Sequence, residues 1–426
     1  MRESLKATFR SLRIRNYRLY FYGQLVSLSG TWMQTVAQAW LVLKLSHNSA
    51  VAVGVVTALQ QLPTLLFGAW AGALADRMDK RAALVGTQTA MAIFAAVLAI
   101  ITFSGTATIV NVGVLSFLTG CGNALDIPAR QALVSELVDR EDLVNAVALN
   151  SAAFNASRVT GPAMGGLLIV VAGIGWCFAL NAVSFVAVIG GLLAMRTEEL
   201  GASNRVARAK GQVREGLRYI LATPTLVSNL VLVLLVSMVG LNFPVILPVM
   251  AKVVLHGDAG TYSAMTVAMG LGALVGALFV AQRTHPTAQL MAWGSVAFGA
   301  SMCASAIAPT VVSMMPLLFV VGIFSIVALS TSNTLLQLES RPGMRGRVMA
   351  VRAVIVVGST PIGAPIAGIV CQHFGARWGL GGGGAATLVI TAWYIGYLRR
   401  HVEADETEPA TAAAGVASLL SADGAA

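Results

Sequence analysis

Charged residues are scarce in this chain: Asp, Glu, Lys and Arg make up 11% of its 426 residues, whereas hydrophobic residues make up 57%. A soluble domain carries about 25% charged residues, so a water-soluble fold is excluded. The mean hydropathy of +0.78 agrees with that conclusion. Polar and apolar residues also do not alternate with a period of two, which disfavours a membrane-spanning β-barrel.

The familiar motifs of catalysis and metal binding are missing as well. The sequence contains neither the phosphate-binding pattern G-x-x-x-x-G-K-[ST] nor the zinc pattern H-E-x-x-H. Its cysteines lack metal-ligand spacing, and we interpret them as small packing residues: Cys121, Cys177, Cys303 and Cys371. We therefore predict that the chain is not an enzyme and that it holds no metal and no cofactor.

What the chain does contain is a dozen apolar stretches, each near or above the ~20 residues that cross a bilayer as a helix. We number them spans 1 to 12, and their predicted ranges are 18–44, 50–75, 82–104, 107–127, 143–171, 174–195, 225–251, 259–282, 287–308, 310–338, 346–373 and 377–398. The pattern predicts an all-α membrane protein with the lipid bilayer as its surroundings.

Basic residues are concentrated on alternate loops. With twelve spans both termini lie on one side, and that side receives 24 of the 28 lysines and arginines. The other side has only Lys44, Lys252 and Arg377. Because lysine and arginine favour cytoplasmic loops, we predict that both termini are cytoplasmic. The net charge of +10 then reflects topology, and we expect no nucleic-acid partner.

A long polar segment divides the spans into six and six, and the halves share a plan. A shift of 203 positions superimposes Pro162 and Gly165 of span 5 on Pro365 and Gly368 of span 11. Parallel repeats of this kind build alternating-access transporters. We predict two pseudo-symmetric six-helix bundles, 18–195 and 225–398. The remaining segments are a cytoplasmic N-terminal segment 1–17, a basic cytoplasmic linker 196–224 and a disordered cytoplasmic tail 399–426.

The turn between spans 2 and 3 reads G-A-L-A-D-R-M-D-K-R over residues 72–81. It resembles the G-x-L-A-D-R-x-G-R-K signature of the major facilitator superfamily, with Asp79 in place of the second glycine. The resemblance implies a latch that joins the two halves on the cytoplasmic side when the cavity faces outward. We assign gating or latch roles to Gly72, Asp76, Arg77 and Arg81, and also to Asp126 and Arg130, which we expect near the cytoplasmic end of span 4.

Span 5 carries the run G-P-A-M-G-G over residues 161–166. This run resembles the G-P-x-x-G-G core of a motif in the superfamily's antiporters, and the resemblance favours export. The residues concerned are Gly161, Pro162, Gly165 and Gly166. The segments 126–136, 150–158 and 345–348 are similar to the bacterial branch that includes the siderophore (enterobactin-type) exporters, also called transmembrane secretion effectors. This resemblance covers residues 12–400.

Arg158 is the one charged side chain that we expect well inside the hydrocarbon. It lies ~15 residues into span 5, and at ~1.5 Å per residue that is ~22 Å deep. An unpaired charge at mid-membrane costs at least ~2.5 kcal/mol, and we expect no acid at that depth. We therefore predict that Arg158 lies in a water-filled cavity. The alternative is a structural arginine bonded to helix carbonyls.

Polar side chains form helical stripes that we interpret as cavity walls. The predicted substrate-cavity residues are Thr31, Gln34, Gln38, Gln61, Asn155, Arg158, Asn242, Asn333 and Gln337. The alternative is hydrogen bonding between helices, at ~0.6 kcal/mol per bond. With a lone cation and no carboxylate, such a cavity would prefer anionic, zwitterionic or polar neutral solutes.

These observations together predict a secondary active transporter of a small-molecule substrate in the bacterial cytoplasmic membrane. Proton-driven export by alternating access is what the resemblance implies, with Asp126 and Asp76 as candidate proton carriers. We interpret Glu136 as a solvated loop charge. One alternative is an importer or facilitator of the same fold. Another is a membrane receptor or assembly factor that transports nothing.

Overall fold

The computed structural model describes residues 9–75, 77–199, 212–283 and 286–422, with side chains omitted at 69, 73, 212, 213 and 401–422. All regular secondary structure in these ranges is helical. Spans 1 to 6 are Arg15–Leu45, Ala50–Ala75, Lys80–Phe103, Ile109–Leu137, Arg140–Val171 and Ile174–Leu193. Spans 8, 9, 10 and 12 are Ala259–Ala281, Ala288–Ala306, Val311–Glu339 and Ala376–Ala422.

Spans 7 and 11 are broken helices. Span 7 consists of Pro224–Gly240, Phe243–Val249 and the π-helical turn Met250–Val254, and span 11 of Arg345–Gly358 and Thr360–Phe374. Each break is followed by a proline in the first turn of the next helix, Pro244 or Pro361. Proline has no N–H to bond the carbonyl of the preceding turn, whereas it fits the start of a new helix. At the first break the Asn242 side chain donates a hydrogen bond to the Met238 carbonyl at 2.7 Å, which satisfies one freed backbone group.

Eight helical stretches in the described part of the chain are long and apolar enough by themselves to cross a membrane. Spans 1, 5, 9 and 12 are helical but fall outside that set. Spans 1 and 5 carry the polar stripes noted above, and these side chains lower their hydropathy. The linker region contains an amphipathic helix, Gln212–Leu221, and its residues 200–211 lie outside the described ranges. The division of the chain into five segments stays a prediction.

The buried apolar residues show where the two halves meet. We call the end of the molecule that carries Arg15 and Arg140 the basic end, and the end that carries Leu45 and Ala50 the opposite end. The largest apolar cluster joins both halves toward the opposite end and includes Met33, Val53, Val245, Tyr262 and Ala364.

The basic end is organised differently, because each half has its own core there. One cluster contains Tyr17, Leu133 and Leu192 from the first half. Another contains Ile220 of the linker helix with Leu336 and Val348 of the second half. The halves therefore share one core at the opposite end and have separate cores at the basic end, which is the arrangement of a cavity that faces the basic end.

Polar and aromatic contacts reinforce the seal at the opposite end. The indole of Trp40 stacks on the ring of Tyr262 with the centroids 6.3 Å apart, and the Lys252 ammonium lies 5.9 Å from the Trp40 centroid. Close approach between the backbones of spans 2 and 11 also contributes to the seal. A methyl group at Gly368 would lie 2.7 Å from the Ala50 carbonyl oxygen, so spans 2 and 11 fit together only because this position is glycine.

The two turns that lead into spans 2 and 8 share a plan and differ in one detail. His47 and His256 occupy corresponding positions with left-handed backbone, at φ of 53° and 50°. Span 8 is capped within its own half, because the Asp258 carboxylate accepts the Thr261 N–H at 2.9 Å and this bond lowers the pKa of Asp258. Span 2 is capped across the halves: its Ala50 N–H donates to Oε1 of Gln372 in span 11 at 2.8 Å.

This cap generates a prediction. Gln372→Leu removes the acceptor, and losing a helix cap costs about 1 kcal/mol, so we expect a roughly fivefold shift toward a state open at the opposite end. Spin labels at positions 47 and 374, in a background without the native cysteines, will report the change as a larger population at long distance. Gln282→Leu, at the exposed basic end of span 8, is the control. An unchanged distance distribution in Gln372→Leu would contradict the proposed effect of the cap.

Candidate functional site: a polar cavity between the halves

A cavity of about 610 Å³ lies between the two halves. Most of its wall comes from the first half and is rich in amides and hydroxyls. The polar lining residues are Gln24, Thr31, Gln34, Thr35, Gln38, Thr57, Gln60, Gln61, Thr64, Thr119, Asn123, Asp126, Arg130, Gln131, Asn150, Asn181, Asn242 and Thr360. Among the described residues, the second half contributes only at the two helix breaks, and its lining residues are Leu241, Asn242, Pro244, Val245, Val357 and Thr360.

Five of the predicted cavity residues line this space: Thr31, Gln34, Gln38, Gln61 and Asn242. Two of them are also bonded to neighbouring amides. Asn181 Nδ2 donates to Gln34 Oε1 at 2.7 Å, and Gln38 Nε2 donates to Gln60 Oε1 at 3.3 Å. The two interpretations of these residues, as cavity wall and as hydrogen bonds between helices, are therefore compatible. The same amide can join two helices and still face the cavity.

Several lining amides were not predicted, among them Asn123, Asn150 and Asn181. Asn123 lies on a stripe of lining residues with Thr119, Asp126 and Arg130, at steps of four, three and four, so the sequence did hold a signal for it. Asn150 lies beside the predicted stripe of span 5, and Asn181 is the one amide of span 6.

The other predicted cavity residues lie elsewhere in this conformation. Asn155, Arg158, Asn333 and Gln337 are not among the lining residues. The Asn155 amide donates to the Ser151 carbonyl one helical turn away, at 2.9 Å. The Arg158 guanidinium carbon lies 5.6 Å from the centroid of the Trp32 ring, and Trp32 itself lines the cavity.

The expectation that the cavity lacks an acid is wrong, because Asp126 lines it. Span 4 was predicted to end at residue 127, whereas its helix continues to Leu137. At ~1.5 Å per residue, Asp126 is therefore ~16 Å inside the helix end. The apolar stretch stops near residue 127, which placed Asp126 at the end of the predicted span, but Asp126 and Arg130 are one turn apart and pair with each other, so the helix can carry both inward.

Asp126 and Arg130 form the centre of a buried polar network. The Asp126 side chain is 1% exposed, and it accepts hydrogen bonds from Thr87 Oγ1 at 2.9 Å and Gln88 Nε2 at 2.7 Å. Arg130 donates to the second carboxylate oxygen and also to Oε1 of Gln24. The network ties spans 1, 3 and 4 together. The pair is neutral overall and both carboxylate oxygens are bonded, which favours tolerance of buried charges, although Arg130 Nε is buried without a hydrogen-bond partner among the described residues.

The predicted latch residues are only partly engaged in this conformation. A methyl group at Gly72 would meet nothing within 4 Å, Arg77 is exposed, and Asp76 lies outside the described residues. Arg81 donates from Nε and Nη2 to the carbonyls of Leu192 and Leu193, at 2.6 and 2.9 Å, and so caps span 6. Open space at Gly72 fits a basic end where the halves are apart.

Asp79 and Glu136 have structural roles at this end. Asp79 stands where the superfamily signature has glycine, and its carboxylate caps span 3 by accepting the Ala82 N–H at 2.6 Å. Glu136 was interpreted as a solvated loop charge, and this is wrong. It lies within the helix of span 4, and Oε1 is 3.5 Å from Nζ of Lys80, with the two side chains 15% and 8% exposed.

The glycines of the antiporter-like run in span 5 pack against two different helices. A methyl group at Gly161 would lie 2.6 Å from the Ser29 carbonyl oxygen, and one at Gly165 would lie 3.3 Å from the Met33 carbonyl oxygen, both in span 1. Gly166 instead abuts Ser263 of span 8, in the other half. The run therefore joins span 5 to the cavity wall and to the opposite-end seal at once.

Two six-helix halves that meet around a polar central cavity define a transporter of the major facilitator superfamily. Within it, the chain belongs to the family described as transmembrane secretion effector, whose model matches residues 6–422. The resemblance found in the sequence motifs is thereby confirmed. The chain is a multi-pass membrane transporter with a small-molecule substrate, and it is not an enzyme.

Curated relatives match most of the chain. The staphyloferrin A transporter of Staphylococcus aureus is 25% identical and covers 88% of this chain and 94% of that protein. The multidrug efflux pump Tap of Mycolicibacterium fortuitum is 28% identical, with 84% and 89% covered. Macrolide efflux protein A of Streptococcus pyogenes is 24% identical, with 86% and 92% covered.

Solved structures confirm the predicted fold of twelve membrane helices in two pseudo-symmetric bundles. A bacterial homolog of the human lysosomal transporter Spinster, inward-facing and unoccupied, matches with a TM-score of 0.72 at 14% identity, covering 89% of this chain and 96% of that chain. The nucleoside transporter NupG matches with a TM-score of 0.72 at 12% identity, covering 90% and 99%. At these identities the likeness concerns the fold alone.

The buried pair generates a prediction about stability. Asp126→Asn leaves the Arg130 charge without its partner, and removing one member of a buried pair costs about 3–5 kcal/mol. We expect the free energy of unfolding in detergent micelles to fall by that amount, and to recover in part in Asp126→Asn/Arg130→Gln. The control is Glu199→Gln, which breaks an exposed ion pair with Arg196 and costs at most about 1 kcal/mol. Equal stability of Asp126→Asn and the unmodified protein would refute a paired, buried carboxylate.

Proposed function

We propose that this chain is a secondary active exporter of the bacterial cytoplasmic membrane, with both termini in the cytoplasm. The observation that carries the proposal is the polar cavity closed off by a shared core at the opposite end, where only 3 of the 28 basic residues lie. With the basic end on the cytoplasmic side, the cavity would load from the cytoplasm. Relatives named as efflux proteins support the direction.

The substrate we propose is a small polar or zwitterionic solute with little net charge. The cavity volume of about 610 Å³ is within the ~300–1,000 Å³ of sites for drug-sized ligands. A preference for anions rested on Arg158 as a lone cation in the cavity. Arg158 is not a lining residue, and Asp126 offsets the charge of Arg130, so the polar part of the wall consists mainly of uncharged amides and hydroxyls.

Protons are the coupling ion that we propose, with Asp126 as the carrier. Its carboxylate is the one acid among the described lining residues, and it is bonded to spans 3 and 4 and, through Arg130, to span 1. A proton that binds Asp126 cancels its charge and ends the ion pair, while Arg130 keeps its own charge. The hydrogen bond from Arg130 of span 4 to Gln24 of span 1 then changes. If the proton binds one conformation more tightly than the other, it favours that conformation.

Transport direction and coupling can be tested in one experiment. The solute is first identified by comparing the media of deletion and overexpressing cells. Inside-out vesicles with an acidic lumen should then accumulate it, because protons that leave the lumen drive the solute inward. The double variant Asp126→Asn/Arg130→Gln should still exchange solute in the absence of a gradient. Its acid-driven accumulation of solute should be at least tenfold lower than that of the unmodified protein. Glu199→Gln should behave as the unmodified protein.

The other outcomes separate the rival functions. Accumulation in right-side-out vesicles instead would indicate an importer, and transport in neither orientation would indicate a receptor or assembly factor. Acid-driven accumulation that persists in the double variant would remove Asp126 as the proton carrier while leaving export in place.

A further inference from the structure

Two aromatic side chains that contact each other form one corner of the cavity. Trp32 of span 1 and Phe154 of span 5 both line the cavity. Their ring centroids are 5.9 Å apart and their planes meet at 70°, an edge-to-face arrangement. Such pairs are favourable beyond simple burial. The Phe154 side chain is still 45% exposed, so the pair offers open ring surface to the cavity.

Three residues on one face of span 5 fix the position of the Trp32 ring. Phe154, Arg158 and Gly161 follow each other at steps of four and three, the spacing that aligns side chains along a helix. A methyl group at Gly161 would lie 2.5 Å from Trp32 Cβ, so the glycine sets how closely the indole approaches span 5. Phe154 meets the ring edge to face, and Arg158 lies over it.

Arg158 forms a cation–π contact with the indole of Trp32. The guanidinium carbon is 5.6 Å from the ring centroid, within the range of a cation–π interaction, yet Arg158 is not a lining residue whereas Trp32 is. The charge therefore contacts the ring without lining the cavity. A positive charge on one face of the ring disfavours a second cation on the other face and favours an electron-rich group there.

We propose that Trp32 and Phe154 form an aromatic subsite that takes a planar, electron-rich group of the transported solute, with Arg158 as a positioning residue for the Trp32 ring. This inference rests on the proposed function, because it assumes that the cavity holds the solute. It complements the polar wall: the amides would bind the hydrophilic part of the solute, and the aromatic corner would select a flat part.

The test is a binding measurement on the purified full-length protein in detergent. Concentration-dependent shifts in Tm give apparent affinities for three probes: 2-naphthoate, its saturated analogue decahydro-2-naphthoate, and the planar cation N-methylquinolinium. We expect 2-naphthoate to bind about three- to tenfold more tightly than the saturated analogue, as an added aromatic contact implies. It should also bind more tightly than the cation.

Variants then assign the preference to particular residues. Trp32→Leu should abolish the preference for the planar probe, and Phe154→Leu tests the same corner if Trp32→Leu does not fold. Arg158→Gln should reduce the ratio of the apparent affinities for 2-naphthoate and the planar cation. Arg158→Lys should leave that ratio unchanged within about twofold because it keeps the charge. A purely structural arginine would change stability without changing this ratio.

Two matched controls lie outside the cavity. Arg283 is 4.7 Å from the Phe279 centroid, so Arg283→Gln removes a similar cation–π pair elsewhere. Trp293 is 68% exposed, so Trp293→Phe tests for probe binding at surface tryptophans.

Equal binding of the planar and saturated probes, no binding of either, or a preference that survives in Trp32→Leu and Phe154→Leu would each overturn the proposal. The measurement needs no gradient, so its failure leaves export standing, and failed export leaves the binding result interpretable.

Discussion

The ion pair between Asp126 and Arg130 is the interaction on which the polar cavity depends. Two charges deep in a membrane protein are tolerated when they neutralise each other and most of their remaining hydrogen-bonding groups find partners. Here those partners are Thr87 and Gln88 of span 3 and Gln24 of span 1, and only Arg130 Nε of the pair is left without one in the described part of the chain. The pair thus connects three helices of the first half and lets span 4 carry charge at the cavity wall.

The two halves contribute unequally to the wall of the cavity. The first half supplies nearly all the polar wall, whereas the second half meets the cavity at the breaks in spans 7 and 11. Irregular backbone at membrane depth is tolerated where it lines a cavity, and broken helices at the centre are a recurrent feature of secondary transporters. The seal at the opposite end draws on both halves, through a shared core and through glycine contacts such as Gly368 against Ala50.

Much of this fold could be predicted from the sequence, because the bilayer imposes simple rules. Apolar length located the twelve spans, and the glycine motifs identified the superfamily. Depth within a span was harder to predict. Asp126 was placed at the end of span 4 because the apolar stretch stops there, but the pairing of Asp126 with Arg130 allows span 4 to continue to Leu137. Arg158 was expected in the cavity because no acid was expected at its depth. Its contact with the Trp32 ring is one that a one-dimensional pattern cannot reveal.

We propose that Asp126 takes up and releases the proton that drives the cycle. Infrared difference spectroscopy on the reconstituted protein is the decisive measurement, because a protonated carboxylic acid has a carbonyl band that a carboxylate lacks. We expect a band that grows as the pH falls, that shifts when solute binds, and that is missing in Asp126→Asn/Arg130→Gln. The same band in the double variant, or none in the unmodified protein, would contradict it.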